Sequence, residues 1–245
     1  MSKIRFLSNN ALKIIAALAM LADHAGYLLF PDVTVLRIIG RLAFPIFAFT
    51  IAEGCKYTRN KVKYFSMIFG LAFICQVVYY IFDKSLYMCV LVTFSLAILA
   101  LFALWNFKTM LFEAESTVLQ KVLSGLLFFS TVALIYIANL VLKIDYGFWG
   151  CMAPVMAGLF HMPKNCRSRF LLKLDCNLTS VLMLGLALVP IALSVKWVQP
   201  YSLLALIPLL LYSGKRGKLK MKYFFYVFYP LHLAVLQGIY TIVNM

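Results

Sequence analysis

The residues of this sequence that could carry out chemistry lie inside segments that are otherwise apolar. They are Lys13, Asp23, His24, Arg41, Glu53 and His232. A charged side chain in the middle of a bilayer costs about 2.5–3.5 kcal/mol or more on insertion scales, so such residues normally face a protein interior or a water-filled cavity. Imidazole and carboxylate groups perform acid–base chemistry in proteins. Guanidinium and ammonium groups bind anions.

The first apolar run, LKIIAALAMLADHAGYLLFP, predicts a helix that carries three of these residues. Residues advance by about 100° along an α-helix, so the step from Lys13 to His24 is almost three whole turns. We therefore expect both side chains on nearly the same face, about 16 Å apart. Asp23 points about 100° away from His24. We expect Asp23 to pair with Arg41 or another neighbour, which leaves His24 a free edge.

The other polar features each allow two interpretations. His232 follows Pro230, which removes a backbone hydrogen bond and leaves room for a ligand or a water, but a hydrogen bond between helices also explains this histidine. Lys13 and Glu53 lie near predicted helix ends, where anchoring at the membrane surface is the alternative to function. The run SGKRGK from Ser213 is suited to phosphate binding and equally suited to orienting the helices.

The elements that position these residues are membrane helices. Of the 245 residues, 64% are hydrophobic and only 13% are charged, and the mean hydropathy is +0.94. Soluble domains are about 45–50% apolar, so the composition predicts an all-α, polytopic membrane protein. The formal net charge of +15 would suggest nucleic acid in a soluble protein, but these basic residues lie in short loops between apolar segments. The six cysteines show no CxxC spacing, so we predict neither a disulfide framework nor a metal site.

The pattern of apolar runs predicts about nine spans in a single domain, residues 1–245. The spans are Ala11–Phe30, Leu36–Glu53 with a kink at Pro45, Tyr64–Phe82, Tyr87–Phe107, Val122–Leu142, Tyr146–Phe160, Leu178–Val195, Tyr201–Tyr212 and Tyr223–Val243. Between the fourth and fifth spans we expect a mixed-charge connector, Lys108 to Lys121. With a cytoplasmic N-terminus, the inward segments hold seventeen of the 23 basic residues and the outward loops only four. The positive-inside rule therefore predicts that the C-terminus lies outside.

Several blocks of the sequence together resemble the TraX family of membrane proteins. They are LKIIAALAMLADHAGYLLFP, LRIIGRLAFPIFAFTIAEG followed by TRN, DYG, YSGKRG and KYFFYVFYPLHL. The family is associated with N-terminal acetylation of conjugative pilin. It is also similar to the wider superfamily of transmembrane acyltransferases, whose signature is a basic residue in the first helix, ten intervening residues and a histidine. Lys13 and His24 fit that spacing, with Lys where Arg is common.

The resemblance implies an acetyltransferase in the bacterial inner membrane. We expect acetyl-CoA to enter from the cytoplasm and to be held through its phosphates by Lys13, Arg59, Lys215 and Arg216, because guanidinium and ammonium groups suit phosphate oxygens. The acceptor is a peptide or pilin N-terminus, a small amine, or a hydroxyl of, for example, a sugar.

In this hypothesis a neutral His24 is the general base, and an acetyl-imidazole intermediate is the variant that we favour less. Asp23 orients a partner or offsets charge, and Arg41 or His232 stabilises the oxyanion. Two other classes of protein remain open. A secondary transporter also buries Asp, His and Arg, but often shows inverted repeats, which are not evident here. A non-catalytic assembly protein has little reason to bury these groups together.

Overall fold

The computed structural model describes residues 5–194, 197–218 and 221–243. These residues form an all-helical fold, and no β-strand occurs among them. The α-helices are α1 (Asn9–Leu28), α2 (Thr34–Gly40), α3 (Ala43–Tyr57), α4 (Lys61–Asp83), α5 (Val90–Phe112), α6 (Val118–Val141), α7 (Gly147–Ala157), α8 (Arg169–Leu174), α9 (Asn177–Ser194), α10 (Leu206–Leu210) and α11 (Lys222–Val243). A 3₁₀ helix, Gln199–Ala205, leads into α10.

Six helical segments of the described chain are long and apolar enough to cross a membrane. They are Asn9–Leu28, Thr34–Tyr57, Lys61–Ile81, Val90–Phe112, Val118–Val141 and Asn177–Ser194. Shorter apolar segments, Gly147–Ala157, Gln199–Leu210 and Val227–Val243, lie where the sixth, eighth and ninth spans were predicted. The multi-pass helical character is confirmed, whereas the count of nine and the orientation stay predictions. The predicted helix end at Val195, and Lys3, Lys196 and Lys220, lie outside the described residues.

The predicted second span is two helices rather than one kinked helix. The chain leaves the helical path at Arg41 and Leu42, between α2 and α3, and not at Pro45. Pro45 falls in the first turn of α3, where a backbone N–H has no partner within the helix, so the proline costs nothing there. The Arg41 side chain bonds back to the Arg37 carbonyl and to neighbouring elements, which stabilises the break.

The predicted connector between the fourth and fifth spans was too long at both ends. α5 continues to Phe112, so Lys108 lies within this helix and is buried. α6 begins at Val118, because the Thr117 and Gln120 side chains form a reciprocal capping box ahead of the apolar run. The basic loop predicted between the sixth and seventh spans contains a further short helix, α8.

The chain divides into two compact units. The first unit comprises Met1–Thr50 and Leu188–Met245, and the second comprises Ile51–Ala187. α3 and α9 contribute residues to both units. The prediction of a single domain is not tested by this division.

In the first unit, α1 packs against α2 and α11. The approach of α1 to α2 is so close that a Cβ at Gly40 would overlap the Asp23 side chain. Glycine is therefore needed at this crossing, which brings the following residue, Arg41, beside Asp23. In the second unit, α4, α6 and α7 pack around the largely buried α5. α4 and α6 bury few of their apolar side chains, as helices that face lipid do.

Candidate functional site

Two histidines from opposite ends of the sequence meet in the first unit. His24 Nδ1 on α1 lies 2.8 Å from His232 Nε2 on α11. The other ring nitrogen of His232, Nδ1, lies 2.9 Å from the Phe228 carbonyl oxygen. The Phe228 ring stacks on the His232 ring, with 5.1 Å between the centroids. His232 is buried and His24 is half-buried.

These contacts assign the protons on both rings. A carbonyl oxygen can only accept a hydrogen bond, so His232 Nδ1 carries a proton and donates it to Phe228. Nε2 of a neutral His232 is then an acceptor, and His24 Nδ1–H donates to it. The remaining nitrogen of a neutral His24, Nε2, carries a lone pair and has no hydrogen-bond partner among the described residues. We call these three residues the histidine relay; it provides the free edge predicted for His24.

Asp23 points to the other side of α1, toward α2. Its Oδ1 accepts a hydrogen bond from Arg41 Nη2, as predicted, and lies 3.0 Å from Arg37 Nη1. Arg37 Nη1 also donates to the Asp23 backbone oxygen at 3.1 Å. Arg37 lies in α2, and nothing in its sequence surroundings marked it as a partner of Asp23.

Arg41, the partner of Asp23, also contacts Gln199, a residue that was not predicted from the sequence. Arg41 Nη1 donates to Gln199 Oε1 at 3.1 Å. Gln199 is only 4% exposed, and its Nε2 has no hydrogen-bond partner among the described residues. A glutamine directly before Pro200 is typical of a loop, so no signal in the sequence indicated its burial beside an arginine.

The surroundings of His24 are electropositive. The Arg37 and Arg41 charges both act on the His24 ring, and among the ion pairs of the described residues both guanidinium groups share the Asp23 carboxylate. This environment favours a negative charge that develops close to His24 over another positive one.

Lys13 shares the α11-facing side of α1 with His24, as the helical spacing predicted. Its Nζ lies 5.9 Å from the centroid of the Phe225 ring on α11. Lys13 and His24 therefore contact Phe225 and His232 in the same order along the chain, so α1 and α11 run parallel. No carboxylate pairs with Lys13 in the described part of the chain, and the Arg216 charge acts on its ammonium group.

The glycine-containing basic loop docks onto the beginning of α1. Asn9 and Asn10 donate their backbone N–H groups to the carbonyl oxygens of Lys215 and Arg216, at 2.8 and 3.1 Å. Gly217 has φ = +94°, a conformation that side-chain-bearing residues rarely adopt, and it packs on Asn10. The side chains of Lys215 and Arg216 are exposed, and the Arg216 charge acts on Lys13. We call Lys13, Lys215 and Arg216 the basic cluster.

Arg59 is the fourth predicted phosphate ligand. It is exposed in the turn between α3 and α4 and belongs to the second unit. Its assignment to the same site as the basic cluster stays a prediction.

The second unit contains a buried polar cluster that was not predicted. His161 Nε2 lies 3.4 Å from Glu53 Oε1 and 3.3 Å from Ser180 Oγ. Burial lowers the pKa of His161, and the Lys56 charge acts in the same direction. Lys56 itself pairs with Asp175 at 2.5 Å.

Lys108 completes this cluster as a cap on α7. Its ammonium group donates to the carbonyl oxygens of Gly158, Leu159 and His161, just after the end of α7. A positive charge at a helix C-terminus satisfies free carbonyls and opposes the negative end of the helix dipole. Glu53 and Ser180 both face the same nitrogen of His161, Nε2. In a nucleophile–base–acid triad the two partners contact different ring nitrogens of the histidine. We interpret the cluster as structural.

Comparison with known proteins now identifies the family. A family model described as TraX protein matches residues 8–240. The chain belongs to the TraX family. The resemblance drawn from the DH, GRLAFPIFAF and FYPLHL blocks is thus confirmed, and these blocks contain both histidines of the relay and Arg41.

Two relatives extend the comparison. A probable fimbrial assembly protein, FimC of serogroup H1 from Dichelobacter nodosus, is 28% identical over 244 residues, covering 92% of each chain. An uncharacterized protein of Rickettsia prowazekii (strain Madrid E) is 53% identical over 38 residues, which are 16% of this chain and 15% of that protein. No solved structure matches the chain.

Proposed function

We propose that this TraX family member is a membrane-embedded acetyltransferase. It transfers an acetyl group from acetyl-CoA to an amine, or to a hydroxyl, with His24 as the general base. The observation that carries the proposal is the histidine relay, because it leaves His24 with one basic nitrogen that has no partner in the described chain. A base fixed by its second ring nitrogen is the arrangement that proton abstraction requires.

His232 is a positioning residue in this mechanism. Its Nδ1 is engaged by Phe228 and its Nε2 faces His24, so in this proposal it sets the tautomer of His24, and the oxyanion role passes to other groups. Arg41 and Arg37 supply the positive charge that favours the tetrahedral oxyanion, and Asp23 holds both guanidinium groups in place.

The basic cluster supports a phosphorylated acyl donor. Lys13, Lys215 and Arg216 gather three positive charges at the beginning of α1, and in the described chain none of them is paired with a carboxylate. His24 lies further along the same face of α1, about 16 Å from Lys13 at 1.5 Å per residue. The extended pantetheine arm of acetyl-CoA suits a separation of this kind between phosphate and thioester.

The acceptor that we favour is the N-terminal amine of a pilin subunit. The Dichelobacter nodosus relative is named a probable fimbrial assembly protein, which fits modification of a fimbrial subunit. The same name fits a second candidate function, a non-catalytic role in fimbrial assembly. Acetyl-CoA-dependent chemistry separates the two. For the orientation we propose a cytoplasmic N-terminus and an external C-terminus in the bacterial inner membrane, because most basic residues lie in the predicted inward segments.

The test is acetyl transfer by purified protein. Wild-type protein, His24→Ala and His161→Gln are incubated with acetyl-CoA and a peptide amine, a small primary amine, a sugar or water alone, and the free thiol of CoA is measured. We expect His24→Ala to lower turnover by about 10²–10⁴-fold, the usual contribution of a general base. His161→Gln alters the histidine outside the relay and serves as the matched control, which keeps its turnover per folded molecule.

Two results would contradict the proposal. Full transfer by folded His24→Ala protein excludes His24 as the base. Absence of thiol release by the wild-type protein with every acceptor favours the non-catalytic assembly role.

A further inference from the structure

A second hydrogen-bonded chain in the first unit starts at Asp23 and ends at Gln199. Asp23 holds Arg41, and Arg41 Nη1 donates to Gln199 Oε1 at 3.1 Å. A guanidinium group has no acceptor atom, so the amide atom that faces it must be the oxygen. The Gln199 amide is therefore fixed, with both N–H donors of Nε2 directed away from Arg41.

Gln199 Nε2 and Ser202 Oγ are buried polar atoms without hydrogen-bond partners among the described residues. Gln199 is 4% exposed and Ser202 is 0% exposed. Both belong to the 3₁₀ helix Gln199–Ala205, where residues three apart are eclipsed and share one face. Nearly all buried polar groups in native proteins are hydrogen-bonded. Two unsatisfied groups on one face of a short helix therefore indicate a polar ligand that both of them contact.

The chemistry of the two groups defines that ligand. Gln199 Nε2 can only donate and Ser202 Oγ can donate, so both suit an oxygen that bears negative charge. The guanidinium groups of Arg37 and Arg41 beside Asp23 favour the same charge. This chain and the histidine relay start from adjacent residues of α1, Asp23 and His24. The histidine relay ends in the lone pair of His24 Nε2, and the chain from Asp23 ends in the N–H donors of Gln199 Nε2.

We propose that Gln199 Nε2 and Ser202 Oγ form the oxyanion hole of the acetyl transfer. This inference rests on the proposed function and adds catalytic residues to it. The acceptor lone pair forms a bond to the thioester carbonyl carbon while His24 Nε2 takes the acceptor proton. The carbonyl π pair moves to the oxygen, which Gln199 and Ser202 stabilise. The pair then re-forms the C=O bond, the C–S bond breaks, and the CoA thiolate takes the proton from His24.

The experiment compares Gln199→Leu and Ser202→Ala with two matched controls of the same unit. Gln237→Leu removes an amide from α11, and Ser194→Ala removes a hydroxyl that already donates to the Ile191 carbonyl. The rates kcat and kcat/KM are measured with acetyl-CoA and the best acceptor of the wild-type protein, together with the thermal midpoint of each variant. We expect Gln199→Leu to lower kcat by about 10²–10³-fold, as loss of one oxyanion donor does, with KM for acetyl-CoA little changed. Gln199→Asn restores part of this rate.

The outcomes separate this inference from the proposed function. If wild-type protein is active and His24→Ala is not, but Gln199→Leu and Ser202→Ala match their controls in kcat, the acetyltransferase stands and the oxyanion hole is wrong. In that case a lowered thermal midpoint assigns the two side chains a role in stability instead. If the wild-type protein transfers no acetyl group at all, both proposals fall.

Discussion

Asp23 and His24 are neighbours in the chain, yet they take part in two different hydrogen-bonded chains. Their side chains diverge by about 100° around α1, so one meets α2 and the other meets α11. Each chain of contacts fixes one functional atom through a residue that is distant in sequence. His232 fixes the tautomer of His24, and Arg41 fixes the orientation of the Gln199 amide. At this scale, the proposed chemistry depends on tautomer and amide orientation rather than on residue type alone.

Removal of the Asp23 carboxylate is expected to destabilise the first unit. Asp23→Ala leaves Arg41 and Arg37 without their shared counter-charge, and removing one partner of a half-buried ion pair costs about 1–3 kcal/mol. The thermal midpoint of the detergent-solubilised protein measures the loss. Asp32→Ala, which removes a carboxylate from the exposed loop after α1, is the control and should change stability by less than about 0.5 kcal/mol. Equal effects of the two substitutions would show that the Asp23 pairs contribute nothing.

At the scale of elements, the break between α2 and α3 coincides with the residue that links Asp23 to Gln199, Arg41. Arg41 is the C-cap residue of α2, and from there its guanidinium group contacts both Asp23 and Gln199. The contact requires α1 and α2 to cross at Gly40, where no side chain fits. The parallel packing of α1 and α11 brings His24 and His232 of the histidine relay into contact.

The crossing at Gly40 provides a prediction with an internal control. Gly40→Ala forces a methyl group into the Asp23 side chain and should lower stability by about 1–3 kcal/mol, as overpacking does. Gly70→Ala on α4 adds the same methyl group where no atom lies within 4 Å. It should leave stability unchanged or raise it by up to about 1 kcal/mol through helix propensity. Thermal denaturation of both variants decides the matter, and a neutral Gly40→Ala would show that the two helices can separate without cost.

At the scale of the whole molecule, positive charge is concentrated in the loops predicted to face the cytoplasm, and the basic cluster is one such place. Acetyl-CoA is therefore expected to bind from that side. Ligand at 100 times its Kd should stabilise the protein by about 2.7 kcal/mol. The measurement is the thermal midpoint with increasing acetyl-CoA.

The control variants for this prediction differ only in the position of the lost charge. Replacement of Lys215 and Arg216 by glutamine should weaken the stabilisation, whereas the same change at Lys164 and Arg167, exposed in another loop, should preserve it. Activity in inside-out but not in right-side-out membrane vesicles would support the proposed orientation. Equal loss of stabilisation in both double variants would point to general electrostatic attraction instead of a site.

The sequence by itself determined what depends on local physics. Apolar runs determine the membrane helices, because backbone groups in lipid must be satisfied within a helix. The 3.6-residue period determines that Lys13 and His24 share a face, and the cost of an unpaired charge predicted a partner for Asp23. The family was predicted from short blocks of sequence that extend from near the N-terminus to near the C-terminus, and the family model matches the same range.

Only the tertiary structure decided which residues complete each contact. His24 and His232 are 208 positions apart, and Arg41 and Gln199 are 158 apart. No local pattern reports which helices pack together. The position of Arg41 likewise depends on the Asp23 carboxylate from another segment. The burial of Lys108 depends on the carbonyl oxygens that follow α7. A helix period fixes the direction in which a side chain points, but what it meets there is a property of the assembled fold.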